Sequence, residues 1–187
     1  MSFWYEVFPP IAHRLGAISK HRLVAMVYAC VTHALQRYYH EFQESIPPEQ
    51  LSVFDAALAD LKTAATDQAT AVNAEERINS LNAIAPDMDS DEMAVPGWEY
   101  TRIAVRQALR LILTGDPEYA CDALDQAYQS IAGEELNRFM FKIGKGLAGP
   151  EITEAERAIP ACREEIAFQL QCLDCAEEGL PFPASAS

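Results

Sequence analysis

One stretch, Ser19 to Ser45, constrains the fold more than any other. Its apolar positions Leu23, Met26, Val27, Cys30, Val31, Ala34, Leu35, Tyr38 and Phe42 follow the i, i+3, i+4, i+7 spacing of one helix face. A thinner stripe of Val24, Tyr28 and Tyr39 covers much of another face, so little of this helix is left for water. Ser19 stands where an N-cap is expected. Pro47-Pro48 ends the helix, because proline has no amide to donate and pushes the residue before it out of the αR region. About 26 residues at ~1.5 Å each give a rod of roughly 39 Å, long enough to run through the middle of a small domain. The spacing predicts a long central helix over about residues 20–44 that the remaining chain must cover.

The rest of the sequence reads as that cover. Phe3, Trp4, Tyr5, Val7 and Phe8 are expected to dock on the core, with a short helix from IAHRLGAI behind them. Leu51, Phe54, Leu58 and Leu61 mark an amphipathic helix, and Ile78, Leu81 and Ile84 a short one ended by Pro86. Ile103, Leu109, Ile112 and Leu113 mark a helix stopped by Gly115, and Asp116-Pro117 starts the next at once as an N-cap followed by proline. That helix is expected to stop at Gly133, with a separate helix over Leu136, Phe139, Met140 and Ile143 failing in GKGLAGP. Thr153 and Glu156 have the spacing of a capping box, and Pro160 opens a last helix that runs to Gly179. No alternating apolar-polar run competes with these helices, and there is no repeat or linker. The expected fold is all-α: a single-domain helical bundle of about seven to nine helices over residues 1–187, with a frayed tail at 180–187.

Three stretches resemble the YjaG-like family of small all-helical bacterial proteins. They are Ala29-Cys30 followed by Tyr38, Tyr39 and Phe42; the run from Leu81 to LRLILTGDPEYACDALDQAYQSI; and IPACREEIAFQLQCLDCAEEG. The likeness spans about three quarters of the chain and implies an all-helical fold. It carries no active-site residues across.

Charge narrows the function. The chain has 28 acidic against 14 basic residues, a formal charge of -14, which disfavours nucleic acid and anionic membranes as partners and suits a basic protein. Residues 49–101 alone hold a net -9. The start MSFWYEVF lacks the basic-then-apolar order of a secretory leader, and no window approaches 18 uninterrupted apolar residues, so a soluble cytoplasmic protein is expected. Five cysteines, an odd number, point to reduced and mostly buried thiols rather than a disulfide framework.

No motif completes a catalytic or metal-binding constellation. Asp87, Asp89 and Asp91 open like a calcium loop, but the sixth position is Glu92 instead of glycine and the twelfth is Trp98 instead of glutamate. Cys172 and Cys175 form a C-x-x-C without a second ligand pair, and two cysteines at i and i+3 on a helix pack as small apolar side chains. His33 and His40 are seven apart, with Glu41 and Glu44 nearby, but no H-E-x-x-H or paired E-x-x-H is present. G-x-S-x-G is absent, and Gly144 to Gly146 reads as a helix stop and not a phosphate loop. Arg102, Arg106 and Arg110, at i, i+4 and i+8, line one helix face that is expected to pair with internal acids, the alternative being a bound phosphate or carboxylate.

These features lead to an acidic binding protein with no cofactor, no metal and no catalytic residue. The sharpest expectation is an immunity protein that neutralises a cognate bacterial toxin through Asp55, Asp60, Glu75, Glu76, Asp87, Asp89, Asp91 and Glu92. The alternative is a housekeeping YjaG-like adaptor or homo-oligomer. A third is an enzymatic or metal-binding bundle using His33, His40 or the cysteines.

Overall fold

The long apolar stretch forms one helix, Lys20–Ser45, with Leu23, Val24, Met26, Val27, Cys30, Val31, Ala34, Leu35, Tyr38 and Phe42 all buried. The computed structural model describes residues 2–66, 72–84 and 96–183. Within them it has a short helix α1 (Trp4–Val7), a 3-10 segment (Pro9–Ala17), α2 (Lys20–Ser45), α3 (Pro48–Thr66), α4 (Ala74–Ala83), α5 (Pro96–Thr114), α6 (Pro117–Ile143), α7 (Pro150–Ala158) and α8 (Pro160–Glu178). Among the described residues there is no strand, and the architecture is an all-α helical bundle. The central helix α2 packs against α3, α5, α6 and α8, while α4 closes over α3 and α5, and α7 over α6 and α8. Its wide apolar arc is what allows four helices to share it.

The start of the chain is core. Trp4 is 2% and Phe8 0% exposed, and their rings stack with centroids 5.0 Å apart. Each early residue is also tied by a polar contact to a distant helix. Ser2 Oγ donates to Glu156 at 2.9 Å, the Phe3 amide donates to the same carboxylate, Trp4 Nε1 donates to Gln169 at 3.0 Å, and Tyr5 OH donates to Asp125 at 2.8 Å.

Three local expectations are corrected. The helix expected to stop at Gly133 does not: α6 runs unbroken to Ile143 and ends at Gly144, which takes the left-handed conformation at φ 64°. An interior glycine costs about 1 kcal/mol against alanine, less than the burial along α6 supplies. Thr153 and Glu156 are not a capping box; both are buried inside α7, which starts at Pro150 behind the positive-φ Gly149. In the tail expected to fray over 180–187, Leu180 and Phe182 meet Arg22, which donates to the carbonyls of Cys175 (2.6 Å) and Leu180 (2.5 Å) and lies 4.6 Å from the Phe182 ring centre, while residues 184–187 lie outside the described residues. Ser19 does sit at the N-cap of α2, though its side chain makes no capping hydrogen bond.

Candidate functional site

The described part of the acidic segment 49–101 forms α3, α4 and the start of α5. Phe54, Ala57, Leu61 and Ala65 turn α3 inward, and Ala74, Ile78 and Leu81 do the same for α4, which leaves the carboxylates outside. They do not all remain free. Asp55 accepts a hydrogen bond from Tyr39 OH at 2.7 Å, at the junction with α2. Burial, and next this carboxylate, push the Tyr39 phenol up to about 12. Asp60 lies on the α4 side and is neutralised by Arg77 Nε at 2.6 Å. Glu76 belongs to the start of α4: Asn73 Oδ1 accepts from its amide at 3.3 Å, and Asn73 Nδ2 donates to its carboxylate at 2.6 Å. Glu75 is exposed beside it, and Glu49 is exposed in the first turn of α3. Asp87, Asp89, Asp91 and Glu92 lie outside the described residues.

The arginine row divides. Arg102 is 2% exposed and fully satisfied: Nε donates to Glu99 at 2.9 Å, Nη2 pairs with the same carboxylate, and Nη1 donates to the Leu81 carbonyl at 2.7 Å. Arg106 instead meets only the neutral Asn82 Oδ1 at 3.0 Å, and its Nε is buried with no hydrogen-bond partner among the described residues. Burial first, then the charges of Arg110 and Arg102, hold its guanidinium below the usual range. Arg110 donates to Gln107 Oε1 at 3.1 Å and lies 5.8 Å from the Tyr119 ring centre. The expected internal ion pairing thus holds for Arg102 and, among the described residues, for neither of the others.

A third site was not foreseen. His33, on α2, places Nδ1 2.7 Å from Glu165 Oε2 on α8, and its ring stacks on Phe168 with centroids 3.7 Å apart. Glu165 is 0% exposed. Its other oxygen accepts from Gln169 Nε2 at 2.9 Å, Gln169 Nε2 also reaches the Leu124 carbonyl at 3.0 Å, and Gln169 Oε1 accepts from Trp4. A buried carboxylate is tolerable only when its lone pairs are filled in this way. A carboxylate at Glu165 takes this contact as an acceptor, with His33 Nδ1 as the donor. Of the two acids near His33 and His40 in the sequence, Glu41 pairs with Arg138 at 2.7 Å, while Glu44 lies 3.6 Å from His40.

All five cysteines are free thiols. Cys172 is buried and Cys175 half-buried, and no disulfide joins them. Cys172 instead meets Cys30 across the α2–α8 contact, where burial, followed by a hydrogen bond to Cys172, raises the Cys30 thiol well above its ordinary range. Among the described residues no group of three His, Cys, Asp or Glu side chains is arranged to hold a metal, and no helix is long and apolar enough to cross a membrane.

No family model matches the chain, and no curated protein sequence matches it. A solved structure of a DUF416 family protein from Shewanella baltica OS155 is similar, with a TM-score of 0.66 and 18% sequence identity over 94% of this chain and 87% of that one. At that identity the likeness concerns the fold, and it places the bundle beside a member of an uncharacterised family.

Proposed function

We propose that this chain is a cytoplasmic immunity protein that neutralises a cognate bacterial toxin by direct binding through its acidic α3–α4 side. The observation that carries the reading is the net -9 of residues 49–101, set against four bases and three acids in residues 1–48. Charge complementarity speeds encounter and discourages wrong partners more than it adds raw affinity. A toxin that works on nucleic acid presents basic side chains where phosphates dock, and an acidic helical face can occupy that groove in their place. Glu49 and Glu75 are the carboxylates best suited to this task, because neither shares an ion pair among the described residues, whereas Asp60 is already neutralised by Arg77. The four carboxylates Asp87, Asp89, Asp91 and Glu92 continue the same charge along the sequence.

The test is capture of the tagged chain from its native cells at low salt, for the wild type and for the Glu49→Lys/Glu75→Lys variant. One basic partner at a fixed stoichiometry is expected, with binding that weakens in the variant and depends less steeply on salt. Unchanged affinity in the variant removes the acidic-face reading.

One observation favours a second reading, a housekeeping YjaG-like adaptor or homo-oligomer. Phe141 is 91% exposed and Ile143 44% exposed at the end of α6. Beside them Phe139, Ile143, Leu147 and Pro150 line an apolar groove against α7. Large apolar groups rimmed by charge mark contact surfaces. Recovery of the chain alone, as its own oligomer, supports this reading over the first.

A further inference from the structure

Arg14, Arg37, Arg77, Arg102, Arg138 and Arg157 each lie within ion-pair distance of a carboxylate. Arg106 and Arg110 have neutral partners only, among the described residues. Arg106 and Arg110 are adjacent half-buried guanidiniums with no carboxylate within ion-pair distance among the described residues; the charges of Glu99 and Asp122 act on them only from farther off. Their spacing is also that of a site. Residues four apart on a helix have Cβ atoms about 6 Å apart, so the two side chains leave α5 from one face; guanidinium forks are suited to a tetrahedral oxyanion.

The surroundings orient the pair and leave donors open. Asn82, at the end of α4, takes Arg106 Nη1, and Gln107 takes Arg110 Nη1 while its own amide donates to Asp122 at 3.1 Å. The Nη2 groups of both arginines have no hydrogen-bond partner among the described residues; Arg106 Nε is also unpartnered but buried. The Tyr119 ring, from the first turn of α6, supplies a flat wall beside Arg110.

We propose that Arg106 and Arg110, with Asn82, Gln107 and Tyr119 around them, form a binding site for the dianionic phosphate group of a small phosphorylated molecule. Two guanidiniums match the two charges of a phosphate monoester, where a single carboxylate would satisfy one fork. A small ligand is specified because the formal charge of -14 repels long polyanions. The site shares only Asn82 with α4 and does not depend on the toxin-binding reading.

Calorimetry of the full chain with inorganic phosphate at low ionic strength tests the proposal. Saturable one-to-one binding is expected, weakened at least about tenfold in Arg106→Gln/Arg110→Gln and unchanged in Arg14→Gln. Arg110→Gln alone, at a side chain whose described contacts are Gln107 and Tyr119, should weaken it about threefold and guards against misfolding of the double variant. Phosphate should raise the melting temperature of the wild type and not of the double variant. Absence of saturable binding to the wild type, or equal binding to the double variant, overturns the site. Binding only after Asp87, Asp89, Asp91 and Glu92 are replaced by their amides also overturns it, by assigning the pair to the chain's own carboxylates.

Discussion

Glu165 is the residue on which the most depends, because a carboxylate with no exposed surface has His33 and Gln169 as its recorded partners. Glu165→Ala removes the acceptor for Gln169, the counter-group of His33, and a filled volume together. Denaturant unfolding should show a loss of about 3 kcal/mol, the usual cost of breaking a buried pair by removing one partner. Glu165→Gln keeps hydrogen-bonding capacity and should cost about 1 kcal/mol. A loss below about 1 kcal/mol for the alanine variant would mean the network is not what holds α2 to α8. Tyr5 offers a test against pH. Its hydrogen bond to Asp125, followed by burial, pushes the phenol up to about 12, so the folded state keeps its proton more tightly than the unfolded chain. That contribution is complete below the ordinary tyrosine range near 10, and is lost as pH rises from there towards 12. Tyr5→Phe should therefore show a shallower alkaline loss of stability than the wild type between those limits, with the late-titrating phenolate absorbance gone. Identical alkaline curves would contradict the Asp125 contact.

At the scale of elements, α5 approaches α6 closely at Gly97. A Cβ built on Gly97 would sit 2.8 Å from Glu134 Cγ and 3.0 Å from the Ser130 carbonyl oxygen. The Glu134 side chain can move aside, but the backbone carbonyl cannot. Glu134 Oε1 also accepts from the Gly97 amide at 3.0 Å, filling a helix-start donor that α5 itself leaves open. Gly97→Ala should cost about 1–3 kcal/mol in unfolding free energy, whereas a change under about 0.5 kcal/mol would show that the two helices are not held this tightly. The elements were legible in sequence where a periodic face met an unambiguous stop. Ser19 and Pro47 bound α2, and Gly115 with Asp116-Pro117 separates α5 from α6. They were illegible where two local signals competed. Gly133 resembles a terminus, but burial on both sides of it carried the helix through; Thr153-x-x-Glu156 resembles a cap, but Gly149-Pro150 had already begun α7. The His33–Glu165 pair joins residues 132 apart, which no local pattern reports. Its only trace was Glu165 and Gln169, two polar residues spaced i, i+4 within the apolar face of α8.

For the molecule as a whole, charge separates from core. The buried apolar cluster is continuous from Trp4 to Ala176. Of the net -9 over residues 49–101, α3 holds -2, α4 holds -1 and Glu99 of α5 one more, and the other five carboxylates, Asp67, Asp87, Asp89, Asp91 and Glu92, lie outside the described residues. The acidic side was readable from sequence as a block of composition. Which carboxylates stay available was not, since Tyr39 and Arg77 reach Asp55 and Asp60 only through the packing of α2, α3 and α4. The available acids are expected to meet a basic protein. The most direct measurement is low-salt capture of the tagged chain from its native cells, with the affinity of what is captured then compared between the wild type and Glu49→Lys/Glu75→Lys. One basic partner at a fixed ratio is expected, with weaker binding to the variant and a shallower salt dependence. A chain recovered alone, or a partner that binds both proteins equally at every salt concentration, would contradict this expectation.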